Sequence, residues 1–168
     1  MKLTQIAFVA AALAFALPAR GDTMSVPSAE KPAYTFDVPS DWKPKGDKDD
    51  EYVEATAPGD QAYLSAWIVA NSDLKALEKD LEATLKDSMK SIDAGTKEDQ
   101  FDQNGTHFYV VQGSGVDKKA GNKVKFVVGI FAAGEGKAGI VYADYDADAP
   151  DATMDKLVGI LKSIKVKK

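Results

Sequence analysis

Between residues 97 and 145 the chain alternates short runs of period-two apolar residues with turns too tight for anything but reversal. Asn104-Gly105 separates a run at 97–102 from one at 106–113. Residues 118–122 lead into a third run at 123–131, and Gly134-Glu135-Gly136 precedes a fourth at 137–145. Asn-Gly suits a type I′ turn, in which both central residues need positive φ. Strands joined this way are antiparallel neighbours, so this stretch predicts a meander. Val124, Phe126, Val128 and Ile130 share one face of its third strand.

Two helical stripes flank the meander. Leu74, Leu77, Leu81, Leu85, Met89 and Ile92 recur every three or four residues, the spacing of one apolar helix face. Asn71, Ser72 and Asp73 offer N-cap oxygens, and Gly95 suits a left-handed C-cap, so the helix is expected to end at Ala94-Gly95. After Pro150, which fits a first helical turn, Met154, Leu157, Val158, Leu161 and Ile164 make a second stripe. The basic residues of 162–168 complement the negative end of its dipole.

Upstream, Tyr34, Phe36 and Val38 alternate with Thr35 and Asp37 as in a half-buried strand, and Pro39 closes it. Ser40-Asp41-Trp42 reads as a turn, residues 43–51 as a polar loop, 52–57 as a short strand and Pro58-Gly59-Asp60 as a tight turn. In the run 62–69, Ala62, Leu64, Ala66 and Ile68 oppose Tyr63, Ser65, Trp67 and Val69, so both faces are expected to be covered. An antiparallel sheet flanked by both helices follows, an α+β arrangement. A cystatin-like or ferredoxin-like open sandwich is the alternative.

At the N-terminus, Met1-Lys2 leads into thirteen apolar residues, Ile6 to Pro18, ending at Ala19-Arg20-Gly21. This reads as a secretory signal peptide over 1–21, cut after Gly21 and too short for a membrane span, which needs about twenty apolar residues. Residues 22–33 carry no periodicity and are expected to form a flexible leader, with a single domain over 34–168. A periplasmic or secreted bacterial location follows, without stable membrane insertion after cleavage.

Composition removes several kinds of chemistry. The full chain carries a formal charge of −5, and the expected cut removes Lys2 and Arg20, two of its basic residues. Such a surface repels nucleic acid. Arg20 is the only arginine, leaving no guanidinium for bidentate anion binding after cleavage. Cysteine is absent, which excludes thiolate nucleophiles, disulfides and cysteine-ligated metals. His107 is the only histidine, and Asp102 across the hairpin is its only nearby carboxylate. It reads as an exposed strand residue rather than a general base.

No Gly-x-Ser-x-Gly elbow is present, and Gly129, Gly134, Gly136 and Gly139 lack the spacing of a phosphate-binding loop. Asp144, Asp146 and Asp148 are spaced as in a calcium loop. The glycine and glutamate such a loop requires are missing, so 144–151 reads as a solvated acidic loop. Asn104-Gly105-Thr106 matches a glycosylation acceptor, for which the hairpin turn is sufficient explanation. No catalytic residue, metal ligand or cofactor is expected. Trp42 and Trp67, with Tyr34, Tyr52 and Tyr63, are aromatics of the kind that line binding surfaces, and the candidate ligand contacts are Trp42, Tyr52 and Trp67.

The segment Tyr34-Thr35-Phe36-Asp37-Val38-Pro39-Ser40-Asp41-Trp42, followed by a long helix, a meander and a terminal helix, resembles the PsbP/Mog1-like superfamily. That resemblance implies a non-enzymatic α/β/α sandwich used in binding or assembly. Photosystem subunits and a nuclear transport factor share the fold, so it does not specify a role. The resulting expectation is an exported accessory protein that binds an envelope protein or small ligand. The alternatives are a structural subunit of an envelope assembly and a carboxylate-based glycan hydrolase.

Overall fold

A computed structural model describes residues 21–46, 52–70, 74–93, 97–134 and 136–167. In chain order the elements are β1 (Gly21–Val26), β2 (Tyr34–Pro39), β3 (Lys43–Lys45), β4 (Tyr52–Thr56), β5 (Ala62–Val69), α1 (Leu74–Ser88), β6 (Met89–Ile92), β7 (Lys97–Gln103), β8 (Thr106–Asp117), β9 (Lys123–Ala132), β10 (Ala138–Asp146), α2 (Asp151–Ser163) and β11 (Lys165–Val166). The expected meander is β7 to β10. Asn104 and Gly105 both have positive φ, 51° and 74°, as a type I′ turn requires.

The main sheet runs β3-β4-β5-β10-β9-β8-β6, with β7 also paired to β8 along that edge. Every pairing in it is antiparallel. A small sheet, β1-β2-β11, lies with α2 over one face of the main sheet. There Tyr34, Phe36, Val38, Leu157, Ile160 and Ile164 meet Val53, Ala55, Leu64, Ala66, Val141 and Ala143. On the other face Leu77, Leu81 and Leu85 of α1 cover Val124, Phe126, Val128, Ile130 and Ile140. The alternation on β5 therefore feeds two cores, as its two apolar faces led us to expect.

Local constraints hold the layers in register. Tyr34 is fully buried, and its hydroxyl lies 3.1 Å from the carbonyl oxygens of both Trp67 and Ile140, which are paired residues of β5 and β10. Its ring meets Phe131 edge-on at 4.9 Å. A Cβ on Gly139 would stand 2.5 Å from Phe131 Cε2, so that close approach requires glycine. At the far side, the Asn104 side-chain amide donates to the carbonyls of Ile164 at 2.9 Å and Lys162 at 3.4 Å. The hairpin turn thereby satisfies carbonyls that the end of α2 leaves open.

Several expectations need correction. The first part of the expected leader, Asp22 to Val26, is instead strand: with Gly21 it forms β1, paired with Pro39 to Tyr34. Its Val26 is completely buried. The long helix ends at Ser88, and Met89 and Ile92 belong to β6. Both remain on the apolar side because β6 pairs with β8 over the same core. The expected N-cap at 71–73 and the C-cap at 94–95 lie outside the described residues. In α2 the inward face contains Ile160, while Val158 is 39% exposed. Residues 157, 160, 161 and 164 complete one helical face and exclude 158. Lys165–Val166 forms a strand on β2 rather than a basic helical end. Asp144 and Asp146 belong to β10, so the acidic loop begins later than expected.

Candidate functional site

Side-chain parity on β4, β5 and β10 builds the site. Alternate residues of a strand share a face, and antiparallel register sets which residues stand side by side. Tyr52 pairs with Trp67, and Trp67 with Ile140. Glu54 pairs with Ser65, and Ser65 with Tyr142; in the next row Tyr63 stands opposite Asp144. All of these lie on the α1 side of the sheet. Thr84 and Ser88 of the helix form the opposing wall.

The resulting cleft has a volume of about 350 Å³ and is lined by Tyr52, Glu54, Tyr63, Ser65, Trp67, Tyr142 and the helix residues. An adjoining cleft of about 450 Å³ shares Tyr63, Ser88 and Tyr142 and adds Asp87, Asp117, Lys118, Lys119 and Asp144. Two tyrosine–carboxylate bonds mark the boundary between them. The Tyr63 hydroxyl donates to Glu54 Oε1 at 2.5 Å, and Tyr142 donates to Asp144 Oδ2 at 2.7 Å. The rings of Tyr63 and Tyr142 have centroids 6.5 Å apart.

Both hydroxyls are held firmly protonated. Burial raises Tyr63 first, with Glu54 adding to it; burial also leads for Tyr142, followed by Asp144. Burial pushes the Asp144 carboxyl up to about 6, with Asp117 and Asp146 contributing in the same direction and the Tyr142 hydrogen bond opposing. Among the described residues, neither Glu54 nor Asp144 is in an ion pair. The groove is a polar aromatic recess lined by the Glu54 carboxylate, with Asp144 in the adjoining cleft.

The structure brings together two of the three sequence candidates. Tyr52, 48% exposed, and Trp67 line the same cleft as cross-strand neighbours. Trp42 is elsewhere: it is 2% exposed, packed in the opposite core, and its Nε1 has no hydrogen-bond partner among the described residues. The turn that makes Trp42 look available folds it inward, with its backbone N–H bonded to the Pro39 carbonyl at 3.0 Å. Its place as a ligand contact is withdrawn. Sequence reasoning missed Glu54 and Tyr142, counted Tyr63 only among the aromatics, and placed Asp144 in a solvated loop. Period-two alternation put Tyr63 and Trp67 on one face of β5, but nothing local assigns β10 as its neighbour.

His107 stands apart from this groove. Its Nδ1 is 2.9 Å from Asp102 Oδ1 and its Nε2 is 3.3 Å from Gln100 Oε1, on the exposed surface of the β7–β8 hairpin. Among the described residues, no group of three or more histidine, aspartate or glutamate side chains is arranged to hold a metal ion, and no helix is long and apolar enough to cross a membrane.

No family model matches the chain, and no curated protein does either. Solved structures do. Cyanobacterial PsbP (CyanoP) from Synechocystis sp. PCC 6803 superposes with a TM-score of 0.63 at 14% identity, over 94% of this chain and 99% of that one. The fold is PsbP/Mog1-like. LpqN, involved in cell envelope biogenesis of Mycobacterium tuberculosis, gives a TM-score of 0.59 at 14% identity, with 89% of this chain and 86% of LpqN covered. The Ran-binding protein Mog1p of Saccharomyces cerevisiae gives 0.56 at 13% identity, with coverages of 87% and 96%. The chain spans about half, 49%, of a longer Bacteroides thetaiotaomicron protein that it also matches. At these identities the PsbP/Mog1-like likeness concerns the path of the chain and leaves chemistry to the site itself.

Proposed function

We propose that this PsbP/Mog1-like protein is an exported, non-enzymatic accessory protein that binds a small ligand or an envelope partner in the groove between α1 and the β4-β5-β10 face. The observation that carries this reading is the cleft of about 350 Å³ in which Tyr52, Tyr63, Trp67 and Tyr142 converge with one carboxylate and several hydroxyls. Its size falls at the small end of ligand sites, and its lining combines apolar area with a few orienting polar groups. The roles attached to LpqN, in the cell envelope, and to Mog1p, in binding Ran, agree with a binding protein.

Hydrolysis of a glycan would need two carboxyls facing one bond at about 5–10 Å. Glu54 lines one cleft and Asp144 the other, each held by its own tyrosine, which favours binding over catalysis. A purely structural assembly role would leave a broad apolar face. The large exposed apolar side chains among the described residues, Tyr52, Phe101 and Val158, sit on three separate elements.

Export by cleavage after Gly21 is part of the same proposal. The cut would remove one residue from β1 and leave Asp22 to Val26 paired with β2. Native mass spectrometry of protein purified from its own envelope tests the whole reading. The expected result is a chain starting at Asp22 that carries a bound species, lost or reduced in Tyr52→Ala. An N-terminally intact chain would overturn export. A ligand-free protein, or a bound species unaffected by Tyr52→Ala, would overturn binding at this groove.

A further inference from the structure

Among the described residues, no cation lines the cleft to offset its charge. Its lining holds, among the described residues, four aromatic rings, the Glu54 carboxylate, Ile68 and the aliphatic hydroxyls of Ser65, Thr84 and Ser88, and no lysine. Glu54 Oε1 accepts the Tyr63 hydroxyl, an interaction that fixes the carboxylate without neutralising it. Asp144 stands opposite Tyr63 in the neighbouring row and lines the adjoining cleft. Lys118 and Lys119 line only the adjoining cleft, and the Lys118 ammonium is directed to the Lys86 carbonyl at 3.4 Å.

Resting on the binding reading above, we propose that this cleft takes a small organic cation, an alkylammonium group, seated among Tyr52, Tyr63, Trp67 and Tyr142 with Glu54 as its counter-charge. Ring faces carry negative quadrupole density and attract cations, the more strongly once both partners are withdrawn from water. Here Trp67 and Tyr63 are half-buried and Tyr142 is buried, while Tyr52 forms the exposed lip. The tyrosine hydroxyls already donate to carboxylates, so they hold those acceptors in place. An anionic ligand would meet Glu54 with no base among the described lining residues to offset it. A neutral apolar ligand would leave that carboxylate desolvated and uncompensated. Anionic and neutral apolar ligands are thus disfavoured by the same side chain.

Choline and its uncharged isostere 3,3-dimethylbutanol separate charge from shape. Titration of the full protein, followed by calorimetry and by fluorescence, reads both; of the two tryptophans, Trp67 lines the cleft and Trp42 is buried in the opposite core. Choline is expected to bind saturably and about tenfold or more tightly than the isostere. Glu54→Gln should bring the two affinities to within about twofold while retaining the acceptor for Tyr63. Tyr52→Ala, at an exposed position that folding does not depend on, should weaken choline about threefold. Equal binding of choline and the isostere, both sensitive to Tyr52→Ala, would overturn the cation assignment and leave the groove as a binding site. Absence of saturable choline binding overturns the assignment as well, and choline affinity unchanged in both variants places the cation elsewhere.

Discussion

Asp144 shows how one residue becomes exceptional through position alone. On the exposed loop expected from sequence it would titrate as an ordinary carboxyl; on β10, beside Tyr142 and facing Tyr63, burial raises it to about 6 from 3.8. The folded protein therefore retains a proton that the unfolded chain releases between these values. Its contribution to stability is most favourable below about pH 4, falls as pH rises to about 6, and is constant above. Asp117 and Asp146 face it with like charge, and Lys118 and Lys119 line the outer part of the same cleft. Asp144→Asn keeps an oxygen for the Tyr142 hydroxyl and removes the ionisation. We expect the variant to be more stable than the parent by about 1–2 kcal/mol at pH 7.5, with solvent screening included, and equal to it near pH 4. Urea denaturation at both pH values checks this, and a pH-independent difference would refute the assignment of the shift to Asp144.

At the scale of elements, the β7–β8 turn does two jobs with one residue. Asn104 accepts the left-handed backbone of a type I′ turn, and its amide caps the last carbonyls of α2. Gln103 adds a contact from Nε2 to the Leu161 carbonyl at 3.2 Å. Asn104→Asp preserves turn propensity but sets a carboxylate against carbonyls at the negative end of the helix. It is expected to destabilise the protein by about 1–3 kcal/mol, with Asn104→Gly costing less than Asn104→Asp. Thermal unfolding of the two variants checks this; equal losses would mean that the charge set against the carbonyls adds nothing to the loss of the amide donor. The same element scale explains the shortened α1. Its stripe carries an apolar pattern through Met89 and Ile92, but after Ser88 the backbone pairs with β8, and a register shift between Met89 and Ser91 keeps both residues on the same core although their spacing of three would place them on opposite faces of a regular strand.

For the whole molecule, the layer β1-β2-β11 with α2 closes the second core, and β1 is the part that composition concealed. Asp22 to Val26 has no strong alternation, because only Val26 is buried and the rest of the strand lies half open. Its pairing is supplied by β2, which Tyr34, Phe36 and Val38 anchor in the core. A chain beginning at Asp22 is expected to match the uncut domain in stability. One beginning at Pro27 should lose at least about 2 kcal/mol through exposure of the Val26 site and the open edge of β2. Urea midpoints of the two truncations measure this, and equal values would show that β1 is dispensable.

Periodicity, turn chemistry and composition were sufficient to read the meander, both helices, the two-faced β5 and the lack of any thiol. These properties reside in neighbouring residues, where backbone geometry converts spacing directly into a face. The groove could be read only in part. Tyr52 and Trp67 were visible as aromatics, yet Trp42 looked the same and turned inward, since turn residues choose core or solvent according to what packs above them. What joins Glu54, Tyr63, Tyr142 and Asp144 is the lateral order β4-β5-β10, strands far apart in the chain. That order, and the burial that tunes each hydroxyl and carboxyl, arise when sheet register and helix packing exclude water, a decision made by the assembled layers and by no local stretch of sequence.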